Sequence, residues 1–199
     1  MGTGSNVRKQ DTKTNLEKEI NNSSSKHDKT SDISFDKNQN QIQNQIKNKN
    51  PPELFDKNML KYHNEYRIKH HSIALENTSE LNNKANKYAE LLLRDNVGDE
   101  GNNLFNDDIY GENIFITDRE ECEENICKIW YDENKSYNYD LNNFQRGTNH
   151  FTQLVWNSTR KIGFGYANYN NKYCYVTLYY PAGNILGQFT NNVFKIWAR

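Results

Sequence analysis

The sequence predicts an α+β domain, with helices interspersed among antiparallel strands as in an α-β-α sandwich, behind a disordered N-terminal arm. Three observations carry this reading. The first is a change of composition at Pro51-Pro52. The second is a helical period in apolar residues directly after it. The third is a pair of apolar runs split by the Asn-rich Asn168 to Lys172, which signals a β-hairpin.

The arm comes first. Charged and amide residues dominate residues 1–50, and 38–50 is nearly all Asn, Gln and Lys with isolated Ile42 and Ile46. Such a segment buries too little apolar surface to offset the entropy of ordering it. The chain of 199 residues is only 34% hydrophobic, and the deficit is concentrated in this arm. The remainder, residues 51–199, is rich in Tyr, Phe and Leu and suffices for one core. Pro51-Pro52 suits the start of a helix and restrains the residue before it.

Within the domain, Phe55, Met59, Tyr62 and Tyr66 recur at helical spacing, with Lys57, Lys61 and Glu65 turned outward. A second helix follows from Leu81, Ala85, Tyr88 or Ala89, and Leu92, with Thr78 or Ser79 as N-cap. Cys122, Ile126, Ile129 and Trp130 mark a third, which makes Cys122 a small core residue. Strand character lies at Asn113 to Ile116, Ile162 to Ala167 and Tyr173 to Tyr180. Gly163 and Gly165 inside a strand imply a bulge or a close backbone approach.

Charge and cysteine content exclude several classes. A formal net charge of -1 and pI near 6.5 give no electrostatic reason to bind nucleic acid. Trp156, Tyr179 and Tyr180 read as core or cleft wall, because no basic residues alternate with them as in a base-stacking platform. Cys122, Cys127 and Cys174 are too few for a disulfide framework. No apolar h-region opens the sequence and no apolar run approaches the roughly 20 residues of a membrane span. The expectation is a reduced, cytoplasmic chain; export by a non-classical route is the alternative.

Two segments mix apolar and polar residues in an order that neither helix nor strand propensity requires: His150-Phe151-Thr152-Gln153-Leu154-Val155-Trp156, and Tyr179-Tyr180-Pro181-Ala182-Gly183-Asn184. With Tyr62-His63-Asn64-Glu65-Tyr66-Arg67, Gly111-Glu112-Asn113-Ile114 and Trp130-Tyr131-Asp132-Glu133, they resemble, in order, the motifs of the CAP superfamily of cysteine-rich secretory, antigen 5 and pathogenesis-related proteins. The likeness is nearest to the Golgi-associated branch, through Tyr180-Pro181-Ala182-Gly183-Asn184 and the N-terminal glycine. It implies the α-β-α sandwich and a cleft tetrad of two His and two Glu able to bind a divalent metal. Glu112, Glu133 and His150 match three of its members.

Glu133 also stands out unaided: it lies three residues past Trp130 and four past Ile129, so it extends an apolar helix face. There a carboxylate is costly unless paired, protonated or bound to a cation. The fourth tetrad position has no histidine; Glu100 or a neighbour falls at the vacancy. Zinc prefers imidazole and thiolate, so such an oxygen-rich set leans toward Mg²⁺ or Ca²⁺, or toward a hydrogen-bonded cluster holding no metal. His63 and Arg67 read as structural hydrogen-bonding residues, and His70 and His71 as cations favoured by the end of the first helix.

Hydrolysis would need a nucleophile beside a base, or a metal with an open position. Asn157-Ser158-Thr159 reads as a helix terminus and not as a nucleophile elbow. The resemblance therefore favours a non-enzymatic binding module at a membrane surface, its partners a lipid, another protein or a second copy of itself. A metal-assisted hydrolase built on Glu112, Glu133 and His150, or a secreted CAP protein, is the alternative.

Gly2 is the expected lipidation site, followed by the small residues Thr3, Gly4 and Ser5, although Asn6 replaces the favoured Ser or Thr. One myristoyl chain binds membranes only with K of order 10⁴ M⁻¹, so a second signal is required; Arg8, Lys9 and Lys13 offer a weak one. Gly2→Ala should move the protein from membrane to soluble fractions. Unchanged fractionation, or an unacylated N-terminus by mass spectrometry, would make the arm a plain tail.

Overall fold

The computed structural model describes residues 52–94 and 109–196. The expected arm, Gly2 and Glu100 lie outside the described residues. The elements in chain order are α1 (Pro52–Lys69), β1 (Glu76–Asn77), α2 (Ser79–Arg94), β2 (Gly111–Thr117), α3 (Glu123–Asp132), a 3₁₀ turn (Glu133–Ser136), α4 (Asn149–Val155), β3 (Lys161–Tyr169), β4 (Lys172–Tyr180) and a second 3₁₀ turn (Phe189–Asn191).

The four strands form one mixed sheet in the order β1-β3-β4-β2. Only the β1–β3 pair is parallel. β3 and β4 turn back through Asn170 and Asn171, at φ 50° and 58°. Two consecutive positive φ values give the hairpin twist that matches the strands, and Asn tolerates them.

Period-2 alternation sorts the strands onto two layers. Ile162, Phe164 and Tyr166, with Tyr175 and Tyr179, pack against Met59, Ile126, Trp130, Phe151 and Leu154 of α1, α3 and α4. Ala167, Cys174, Val176, Leu178 and Ile114 pack on the other face against Leu81, Ala85, Tyr88, Ala89 and Leu92 of α2. The strands are therefore covered on both sides, and the α-β-α sandwich follows.

Gly163 and Gly165 are where α2 meets the sheet. A Cβ on Gly163 would stand 2.2 Å from the Leu81 carbonyl carbon, and one on Gly165 2.1 Å from that of Ala85. Helix and strand backbones thus approach directly, the second of the two expected reasons for a strand glycine. β1 pairs only with the first two residues of β3. Beyond it, Asn82 Oδ1 accepts the Phe164 N–H at 2.8 Å and Asn86 Oδ1 accepts the Tyr166 N–H at 3.0 Å. Side chains of α2 complete the edge that a longer strand would otherwise pair.

Three expectations are corrected. On α1 the buried line runs Phe55, Met59, His63, Arg67, not through Tyr62 and Tyr66. Those tyrosines are half-buried, and Tyr66 stacks on Tyr131 with centroids 3.9 Å apart. On α3 the buried face is Glu123, Ile126, Cys127 and Trp130; Ile129 is 43% exposed and Cys122 is an exposed residue ahead of the helix. Both differences come from a one-residue shift in helical phase. His70 is buried rather than a solvated cation, bonded to Phe194 O and the Tyr131 hydroxyl, and burial lowers its pKa. The N-cap of α2 is Thr78, whose Oγ1 accepts the Leu81 N–H.

Asp56 gives a pH-dependent prediction. Asn82 Nδ2 donates to its carboxylate at 2.6 Å, yet burial raises its pKa from 3.8 to about 6. A raised carboxylate favours the folded state while protonated. That contribution is full below pH 3.8 and is lost as pH rises through about 6. Asp56→Asn keeps an acceptor for Asn82 and removes the buried charge. Urea melts should show it more stable than the parent at pH 7 by about 1–2 kcal/mol, discounted for partial exposure, with the advantage gone by about pH 4. Equal stability at neutral pH would refute the burial argument.

Candidate functional site

Helix α4 spans seven residues, too few to hold its conformation alone. Its N-cap, Thr148, makes no side-chain capping bond. The cap comes instead from Glu133, at the head of the 3₁₀ turn after α3. Its Oε2 accepts the Phe151 N–H at 3.0 Å, and its Oε1 accepts the His150 Nδ1–H at 2.7 Å. A carboxylate at a helix N-terminus meets both the unpaired amides and the positive end of the dipole. Glu133 is half-buried, so the sequence argument that it needed a partner holds, although Ile129 does not share its surroundings.

The same bonds fix His150. Its Nδ1 must carry the proton that Glu133 accepts, which leaves Nε2 as the second ring nitrogen; among the described residues Nε2 has no hydrogen-bond partner. The ring lies near-parallel to buried Trp130, with centroids 6.2 Å apart and planes at 21°. Orientation and tautomer are both set.

The segment after β4 is laced to α4. Gly183 N–H donates to Gln153 Oε1 at 2.8 Å, Asn184 Nδ2 donates to Asn149 O at 3.0 Å, and the Thr152 hydroxyl donates to Asn184 Oδ1 at 2.6 Å. Gly183 must be glycine here, since a Cβ would come within 2.7 Å of Trp156 Cγ. The sequence does not single out Thr152, Gln153 and Asn184 as individual residues. Their signal is the presence of polar side chains inside otherwise apolar motifs.

Glu112 stands elsewhere. On β2 it alternates with Asn113, so it shares the α2-facing side with Ile114, and it hydrogen-bonds Tyr88. Burial raises its pKa, opposed by the Tyr88 hydroxyl. Asn113 faces the other way and donates to His150 O. The structure thus places Glu133 against His150, and Glu112 against Tyr88 of α2. Among the described residues, no group of three or more His, Cys, Asp or Glu side chains is placed to hold a metal ion. His150 Nε2 is the donor a metal would find here, with Glu133 already committed through both oxygens.

Two further cavities lie away from this pair. One of about 290 Å³ is lined by Thr78, Glu80, Leu81, Ile109, Tyr110, Lys161 and Tyr180. The other, about 410 Å³, lies among His71, Tyr139, Thr190, Val193, Phe194 and Lys195.

The chain is thus a sheet covered by helices on both sides, with a Glu-capped histidine at the head of the short α4. The chain belongs to the cysteine-rich secretory protein (CAP) family, whose model matches residues 60–180. It is 34% identical over 148 residues to the human (Homo sapiens) Golgi-associated plant pathogenesis-related protein 1, covering 73% of this chain and 96% of that protein. A probable pathogenesis-related protein of Candida albicans is 34% identical over 144 residues, 69% of this chain and 65% of that one. Among solved structures, NaASP2 crystallised with Zn²⁺ superposes with a TM-score of 0.57 at 21% identity, over 71% of this chain and 85% of that one. Venom allergen-like protein 4 of Schistosoma mansoni gives 0.56 at 20%, over 72% and 96%. These two likenesses concern the fold alone.

Removing the cap should be costly. Glu133→Ala leaves a helix-terminal amide and an imidazole N–H without their acceptor, for a loss of about 2–4 kcal/mol in urea melts. Glu133→Gln keeps one acceptor and should lose about half as much. Equal losses from the two variants would show that the acceptor oxygen retained by Gln contributes nothing.

Proposed function

We propose that this CAP domain is a non-enzymatic binding module that acts at a membrane surface and binds lipid. The observation that carries the reading is an apolar patch on two neighbouring loops. Leu141, Phe144, Ile185 and Leu186 are all exposed, Leu186 by 70%. Asn142 ties the loops together, donating to Gly187 O at 2.8 Å and accepting the Thr190 N–H at 3.1 Å. Large apolar side chains held at loop tips, where nothing in the core requires them, suit insertion among lipid headgroups. The cavity bounded by Tyr139, Val193 and Phe194, with Lys195 and His71 at its rim, offers apolar volume with basic groups beside it. With one acyl chain at Gly2, the loop patch would supply the second signal that stable anchoring needs.

The chemistry of the nucleophiles favours binding over hydrolysis. Both oxygens of Glu133 are engaged in positioning α4. The Ser158 hydroxyl donates to Asn192 Oδ1, an amide oxygen that cannot act as a base. Cys127 lies 3.4 Å from His63 Nδ1, but both are fully buried and burial raises the thiol pKa well above its usual value. If Glu100 fills the fourth tetrad position, zinc binding should be weak and should strengthen in Glu100→His.

Co-flotation with phosphatidylserine-containing liposomes tests the reading. Phe144→Ser combined with Leu186→Ser should weaken binding by about tenfold, since the pair removes apolar area worth about 1.4 kcal/mol at the interface. Undiminished flotation would reject the loops as the lipid surface. A concentration-dependent dimer, or a complex with another protein, that disappears in the same variant would assign them to a partner instead. Peptidase turnover abolished by His150→Ala would overturn the non-enzymatic reading.

A further inference from the structure

Three buried side chains join α1 to the first turn of α4. His63 Nδ1 lies 2.8 Å from Met59 O, and His63 Nε2 lies 2.9 Å from the Tyr179 hydroxyl. Asn113 Nδ2 lies 3.0 Å from that hydroxyl and 3.0 Å from His150 O. All three residues are essentially without solvent contact.

The ends of this series are carbonyls, which only accept, and that settles every proton between them. Met59 O requires a proton on His63 Nδ1. His150 O requires the amino side of the Asn113 amide, which then also donates to Tyr179. The Tyr179 oxygen is thereby an acceptor from Asn113, so its own proton must go to His63 Nε2, which must be bare.

We infer that Asn113, Tyr179 and His63 form a one-directional relay that positions the His150 end of α4, and that it holds only while His63 is the neutral Nδ1–H tautomer. A proton on Nε2 would donate to Tyr179 and leave the phenolic hydrogen without an acceptor in the core, a cost comparable to a lost buried hydrogen bond. The surroundings keep His63 neutral. Arg67 is on the same helix, Cys127 of α3 presents a thiol, and Trp130, Phe164 and Tyr179 pack their rings around the imidazole. Burial and the Arg67 charge together lower its pKa to about 4. The three residues are positioning residues, acting on His150 through its backbone, whatever ligand the cleft takes.

Imidazole ¹⁵N spectra of the full-length protein test the assignment directly. At pH 7 His63 should show a protonated Nδ1 and a bare Nε2; a protonated Nε2 would overturn the relay. Solvent exchange of the His150 Nδ1 proton tests the coupling. Tyr179→Phe should accelerate it by about tenfold, and His63→Leu equally, because each breaks the relay. His63→Gln can still offer a side-chain oxygen to the Tyr179 hydroxyl and should keep the parent rate. An unchanged rate in Tyr179→Phe, or equal acceleration in His63→Gln and His63→Leu, would refute the positioning role. Should the variants fail to fold, the parent ¹⁵N pattern alone decides.

Discussion

The guanidinium of Arg67 is fully buried and, among the described residues, reaches only backbone carbonyls. Nε and Nη2 donate to Ile73 O at 2.8 and 2.7 Å, Nη1 to Leu154 O and Trp156 O at 2.9 Å each, and Nη2 also to Thr159 O at 3.2 Å. A buried cation is tolerable only when its donors are satisfied, and the planar fork satisfies them with oxygens from three chain segments. Leu154 and Trp156 end α4, where carbonyls lack helical partners and the dipole is negative. Burial lowers the Arg67 pKa to about 10, which leaves it charged at neutral pH.

Glu133 completes the logic at the other end of the same helix. A seven-residue helix has more unpaired backbone groups at its ends than bonds within it. Here a carboxylate from after α3 holds its first turn, and a guanidinium from α1 holds its last. His150, Thr152 and Gln153 are therefore carried on a segment fixed from outside. The Asn113–Tyr179–His63 series adds a third attachment from the sheet. The cleft side chains owe their geometry to long-range polar contacts more than to helical stability.

On the opposite face the governing constraint is steric. Gly163, Gly165 and Ala167 present almost no side chain, so α2 settles onto the β3 backbone close enough for Asn82 and Asn86 to hydrogen-bond it. The aromatic bulk is on the other layer, where Phe164, Tyr166, Tyr175 and Tyr179 fill the space between three helices. Unequal side-chain volume on the two faces sets the thickness of the sandwich.

Much of this was determined locally. The helical period of Leu81, Ala85 and Leu92, the paired turn asparagines and the strand glycines each depend on neighbours a few residues away, so α2, the β3–β4 hairpin and the close approach could be read directly. The motifs around Glu133 and His150 marked the site for the same reason: a carboxylate and polar groups stood where local structure did not ask for them. Tertiary structure decided what periodicity could not. Helical spacing is blind to a shift of one position when polar residues are themselves buried, so it put Tyr62 where His63 is, and Cys122 where Glu123 is. It also could not show that Glu112 faces Tyr88 while its neighbour Asn113 faces His150, since strand alternation separates adjacent residues but does not name the layer each will meet. Those partners lie far along the chain, and only the packed fold brings them within hydrogen-bond distance.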